Sequence, residues 1–244
     1  MKITQLACVH VNPPILPGTF QANCILVETD QEKVLIDTGL GLQDVLEPNR
    51  YIRRLKPFLG IDFDAGDTVV GHLLSLQIQP ESIGHIVLTH LHFDHAGGLT
   101  DFPQAAVHVH RREYDAMKRP RKFMERIGYN RANFSHGPDW HFYESATENW
   151  LGFEVVKLPF SFPCYLVELH GHTSGHCGVA LQKEDGSWLF HVGDAAPAGM
   201  KLGNAPDWLV RLILGKNSLR FKTFSEEHPE VEVVTGHGAV GGNI

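Results

Sequence analysis

Apolar residues along this chain come in short runs, and their spacing alternates between strand-like and helix-like. Lys2 to His10 reads as a strand. Val11 to Phe20, with three prolines and a glycine, reads as a loop. Two apolar runs, Cys24 to Glu28 and Lys33 to Asp37, flank the polar Thr29-Asp30-Gln31-Glu32 and predict a hairpin. Leu42 to Leu59 reads as helical in part. Asp67 to Leu76 carries Val69, Val70, Leu73 and Leu74 at helical spacing, with Asp67 as a cap. Pro80-Glu81-Ser82 marks a turn into His85-Ile86-Val87-Leu88, a β-branched run expected to be a buried strand. Ala105 to Val109 then reads as a strand and Arg111 to Met117 as a helix.

Lys118 to Glu144 follows neither period. It mixes basic residues with Phe123, Tyr129, Phe134, Trp140, Phe142 and Tyr143, and reads either as a solvated helix plus loop or as a wall over a binding pocket. From Gly152 the texture turns β-rich. Phe153 to Leu158, Tyr165 to Leu169, Gly178 to Leu181 and Trp188 to Val192 read as strands, the last two joined by a turn at Glu184-Asp185-Gly186. Ala205 to Leu214 and Ser218 to Phe224 predict helices, and Val231 to Val234 a final strand. With no linker and no low-complexity segment, residues 1–244 read as a single α/β domain.

The 244 residues are 43% hydrophobic with a formal net charge of −7. That charge argues against a nucleic-acid partner. No run reaches the ~18 apolar residues of a membrane span, and the N-terminus reads as a strand rather than a signal. The four cysteines show no CxxC pairing, which points to reduced thiols and a cytoplasmic protein. A homodimer is left open.

The unusual feature is histidine, sixteen in all. Four candidate metal ligands crowd into Thr89-His90-Leu91-His92-Phe93-Asp94-His95-Ala96-Gly97-Gly98. His90 and His92 are two apart, so an extended backbone points them the same way. Asp94 and His95, on a following turn, can face a second point. One metal cannot easily take all four at this spacing, whereas two metals a few ångströms apart can. His108 and His110 alternate on a predicted strand and read as surface or core histidines.

The stretch HLHFDHAGG resembles the signature of the metallo-β-lactamase superfamily. Its pattern continues downstream in order: His172 in HGHTSGH, Asp194 in FHVGDA and His237 in VTGHG. The resemblance implies a four-layer αββα sandwich. It also implies two divalent ions, zinc first with manganese, iron or cobalt as alternatives. His90, His92 and His172 would hold one, Asp94, His95 and His237 the other, and Asp194 would bridge them. Asp37 would orient the metal loop from behind. His176 has no ligand slot and is expected to hydrogen-bond in its turn. Cys177 reads as a small buried residue.

Such a centre implies hydrolysis of a small carbonyl substrate, a lactone or ester, by a metal-bridging hydroxide, with Asp94 also passing a proton to the leaving group. Within the superfamily the likeness is to the N-acyl-homoserine lactone lactonases. One departure stands out: those enzymes carry a tyrosine shortly after the bridging aspartate, where this chain has Ala195, Ala196 and Pro197. The alternatives are glyoxalase II-like thioester hydrolysis, for which the C-terminal helical domain is missing after His237, and a mononuclear iron sulfur dioxygenase.

Overall fold

In the computed structural model, residues 1–12, 14, 19–144, 146, 148–196, 208, 211 and 215–239 are described. The predicted helix Ala205 to Leu214 lies outside them apart from residues 208 and 211, which are helical, and most of the predicted loop Val11 to Phe20 also lies outside.

The first sheet begins with β1 (Lys2–Val11), β2 (Phe20–Glu28) and β3 (Lys33–Ile36), an antiparallel meander. It continues through β4 (His85–Val87), β5 (Ala106–His110) and β6 (Asp139–Tyr143), all parallel to β3. The second sheet runs through β7 (Glu148–Trp150), β8 (Phe153–Lys157), β9 (Cys164–Glu168), β10 (Cys177–Gln182), β11 (Trp188–His191) and β12 (Val231–Val234). A last strand, β13 (His237–Ala239), leaves the second sheet and pairs with the start of β2 in the first.

Alternation along the strands builds the layers. Ile25, Val27, Val34, Ile36 and Val87 point from the first sheet into a core shared with Leu166, Val179, Leu181 and Val234 of the second. The opposite face of the first sheet, with Leu26, Leu35, Ile86 and Val107, is covered by α3 (Val69–Ser75) and α5 (Arg111–Lys118). The outer face of the second sheet packs on α7 (Phe221–Glu227) through Phe153, Phe190 and Phe224. Helix, sheet, sheet, helix is the expected αββα order, driven by burial of one apolar face per element.

Several local expectations change. Thr68, not Asp67, caps α3: its hydroxyl accepts the Gly71 amide. The helical stretch from Leu42 splits into α1 (Leu42–Leu46) and α2 (Arg50–Leu59), the latter capped by Asn49. The segment read as irregular contains α6 (Phe123–Gly128) and the edge strand β6. Trp140 and Phe142 pack on Tyr114 of α5, with ring centroids 5.3 and 4.8 Å away. All four cysteines are free and buried. Among the described residues no helix is long and apolar enough to cross a membrane.

Candidate metal centre

Five chain segments end at one rim of the sandwich: those after β3, β4, β9, β11 and β12. Crevices outside the carboxyl ends of strands are where α/β sheets gather polar groups. The segment after β4 is extended through His92 and then turns into α4 (Phe93–Ala96). This places His90 and His92 together, ring centroids 4.4 Å apart, and turns Asp94 and His95 toward a second point, with the His95 ring still 4.1 Å from that of His90.

The result is two clusters whose donor atoms lie within 4.8 Å of one another: His90, His92, His172 and Asp194 in one, Asp94, His95 and His237 in the other. Nε2 of His172 and Nδ1 of His92 are 3.2 Å apart. Asp194 faces both clusters. Its Oδ2 is 3.4 Å from His172 Nε2 and 4.0 Å from His90 Nε2. Its Oδ1 is 3.4 Å from both His95 Nε2 and His237 Nε2. His237 Nε2 is also 3.4 Å from Asp94 Oδ2. All seven residues singled out as ligands thus converge.

Asp37 stands behind them, fully buried, at φ 57°, a left-handed conformation that aspartate tolerates better than most residues. Its carboxylate accepts the Thr89 amide at 2.8 Å, the Thr89 hydroxyl at 2.7 Å and His95 Nδ1–H at 2.8 Å. Having given its proton to Asp37, Thr89 Oγ1 can accept from His90 Nδ1, 3.1 Å away. One carboxylate therefore turns Nδ1–H of both imidazoles away from the clusters, so that in the neutral rings Nε2 faces them with its lone pair, the tautomer a metal ligand needs.

His176 accepts the Asp194 amide at 3.0 Å and so holds the turn of the shared carboxylate, in line with its expected role as a turn hydrogen-bonder. His191, which the sequence did not single out, acts from the other side: its Nδ1 accepts the Gly193 amide and its Nε2–H donates to the Asn23 carbonyl. Gly193 sits at φ 52°, and a Cβ there would lie 2.7 Å from His176 Nε2, so the turn needs glycine. Cys177 is a buried thiol donating to Gly175 O.

Glu113 was also missed. It is completely buried and accepts four hydrogen bonds: from Leu91 N, Tyr129 Oη, Thr173 Oγ1 and Gly175 N. It joins the His90–His92 segment to the His172 turn. Its signal was a carboxylate at helical spacing with Ala116 and Met117 on the buried face of α5. From α6, Lys122 Nζ donates to Gly171 O and Glu125 accepts from the Ser174 amide. Gly128 backs onto the His92 ring.

The electrostatics are those of a cation site. Burial, with His95 and His92 nearby, holds His90 well below the usual imidazole range. Burial would lower His95 and His237 too, but the neighbouring carboxylates, Asp194 with Asp37 for His95 and Asp194 with Asp94 for His237, together outweigh it and raise both. Burial would raise Asp194, yet His237 and His95 hold it well below the usual carboxylate range. His90 Nε2 and Asp194 Oδ1 are buried with no hydrogen-bond partner. Orphaned atoms of this kind, in a set of imidazoles and carboxylates, fit divalent cations.

The sequence model of the metallo-beta-lactamase superfamily matches residues 17–237. The chain belongs to this superfamily. Among relatives of this superfamily member, a protein of Mycobacterium bovis named a probable metallo-hydrolase is 38% identical over 197 residues, 80% of this chain. The chain spans 62% of the length of that relative. An N-acyl homoserine lactonase of a Bacillus species is 25% identical over 76% of this chain and 69% of its own. Among solved structures, an N-acyl homoserine lactone hydrolase with N-hexanoyl-L-homoserine bound at its catalytic metal centre superposes with a TM-score of 0.66. It is 20% identical, with 97% of this chain and 93% of that one covered. A probable metal-dependent hydrolase from Staphylococcus aureus gives 0.68 at 19% identity, covering 97% and 89%. These superpositions establish the metallo-β-lactamase fold.

Proposed function

We propose that the protein is a hydrolase that opens a small lactone or ester. It would use two divalent cations, one held by His90, His92 and His172, the other by Asp94, His95 and His237, with Asp194 serving both. The observation that carries this reading is the division of the Asp194 carboxylate, one oxygen toward each cluster.

When bound, a cation pair would supply Lewis acidity for a carbonyl oxygen and lower the pKa of a water held there toward ~7. Zinc suits the ligand set, as do manganese, iron and cobalt. The remaining work falls to the chain. Asp37 and Thr89 keep His90 and His95 in the ligating tautomer. His176, His191 and Gly193 fix the direction of the Asp194 carboxylate. Asp94, with a side chain 20% exposed against 12% for Asp194, stands nearer the solvent side, and in the proposed reaction it would take up the proton released by the attacking water and pass it to the leaving oxygen.

The lactonase names of relatives and structural neighbours support a ring-opening reaction. At the two positions after Asp194 this chain has the small buried Ala195 and Ala196, which offer no hydroxyl to a substrate carbonyl. A lactone or ester class is therefore proposed rather than acyl-homoserine lactone alone.

The test compares metal-loaded parent with Asp194→Ala by elemental analysis, and runs the parent on a panel of lactones, esters and thioesters. The expected result is two fewer ions per chain in the variant and lactone or ester turnover in the parent. A difference of one ion, or turnover confined to thioesters, overturns the reading.

A further inference from the structure

On the far side of the His172 turn lies another cluster. His110 ends β5 in one sheet, Glu168 ends β9 in the other, and His170 follows Glu168 by two residues. Their donor atoms lie within 4.8 Å of one another. His110 Nε2 is 3.6 Å from Glu168 Oε1, and His170 Nε2 is 3.2 Å from Glu168 Oε2. They open onto a cleft of about 730 Å³ whose other charged lining is Glu144, Glu154 and Asp115 with Arg111 and Arg112.

Two observations point to a cation. His170 Nδ1 is 3.1 Å from the His176 carbonyl and must donate to it, which leaves Nε2 with a lone pair aimed at a carboxylate oxygen. Two acceptors that close need a positive species between them, either a proton or a metal. Second, His110 is 97% buried, and its Nε2, aimed at Glu168 from 3.6 Å, makes no hydrogen bond of normal length.

We propose that His110, Glu168 and His170 form a separate site for a borderline transition cation such as Zn²⁺, with Glu144 or water completing the coordination. Two imidazoles favour such an ion over Mg²⁺ or Ca²⁺, which prefer all-oxygen sites. The site has a structural consequence. His170 is bonded to the His176 carbonyl, and the His176 ring holds Asp194, so a metal here braces the turn that carries His172. Ligation through His110 Nε2 moves that ring's proton to Nδ1, which accepts the Arg112 amide at 3.1 Å in the metal-free arrangement. Metal binding therefore gives up that cap of α5, and the Arg112 amide reports it.

The test uses the full-length chain dialysed against Zn²⁺, with elemental analysis of parent, Glu168→Gln and Asp194→Ala. Glu168→Gln keeps an oxygen for the Ala146 amide, which the carboxylate accepts at 3.1 Å. The expected result is one Zn²⁺ fewer per chain in Glu168→Gln, the same in His170→Asn, and retention of that one ion in Asp194→Ala. The Arg112 amide resonance should shift on Zn²⁺ addition to the parent and stay put in Glu168→Gln. Equal zinc in parent and Glu168→Gln overturns the proposal and leaves a proton as the cation. Loss of every ion from Glu168→Gln overturns it as a separate site. An unchanged count in Asp194→Ala would strike at the paired centre alone.

Discussion

Thr173 donates its hydroxyl to Glu113 across 2.7 Å, and this contact ties the turn carrying His172 to helix α5. The same carboxylate holds Leu91, between His90 and His92. Glu113→Ala would leave four buried donors without their acceptor, and each such loss costs about 1–3 kcal/mol before water or relaxation recovers part of it. A stability loss of at least about 3 kcal/mol is expected in denaturant unfolding. Thr173→Val should cost about 1 kcal/mol and lower metal affinity 10–100-fold, the usual effect of removing a group that orients ligands. Wild-type stability in Glu113→Ala would show that these bonds do not hold the rim together.

Gly128 is the contact between α6 and the ligands. A Cβ there would lie 2.2–2.5 Å from three atoms of the His92 ring. The ring cannot retreat, because His90 and His172 flank it at 4.4 and 4.8 Å. Gly128→Ala should therefore displace His92, at an overpacking cost of about 1–3 kcal/mol, and release metal from the cluster of His90, His92 and His172. Metal content and melting temperature measured on one sample check this. Unchanged values for both would mean that α6 moves freely and does not back the site.

Two carboxylates beside the rim set a pH dependence. Burial raises Asp44 from 3.8 to about 6 against the opposing amide of Asn133, and raises Asp101 to about 6 against the opposing Leu42 amide. A folded-state value above the unfolded one favours the protonated fold. The associated stability is present in full below about pH 4 and is lost as pH rises through about 6. The gap is worth on the order of 2–3 kcal/mol for each group. Asp44→Asn should thus be more stable than the parent at pH 8 and not at pH 4. The variant-minus-parent difference, taken from urea unfolding at each pH, cancels the other titrating groups. A difference that does not change with pH refutes the assignment.

How far the sequence foretold this arrangement depended on whether a signal was local. His90, His92, Asp94 and His95 announce themselves because four candidate ligands share six positions on a strand-to-turn junction. His172, Asp194 and His237 are legible only through a family likeness, since each stands alone in its own turn. β13 escaped notice because three residues, starting at the His of a Gly-His pair, carry no period. β6 does alternate, with Trp140 and Phe142 inward, but the surrounding basic residues masked it. Glu113 was hidden by the habit of reading acids on helices as solvated. The cluster of His110, Glu168 and His170 could not be read at all. It exists only because β5 and β9, from different sheets, end side by side.

Asp94 gives the sharpest test of the chemistry. Its Oδ2 lies 3.4 Å from His237 Nε2, so it is both a neighbour of the second cluster and, in the proposed reaction, the group that delivers a proton. Asp94→Asn keeps an oxygen donor and removes the proton carrier. If proton delivery is its main task, kcat should fall by about 10²–10⁴, the range of general acid–base catalysis, with metal content unchanged. Rate and metal must be measured on the same sample. Parental turnover with full metal content would refute the proton-transfer role. If the variant also loses an ion, a series of substrates with progressively better leaving groups separates the two contributions. A missing proton donor matters less as the leaving oxygen needs its proton less, so the defect shrinks along the series. A defect caused by the lost ion stays constant, because the cation acts on the carbonyl whatever departs from it.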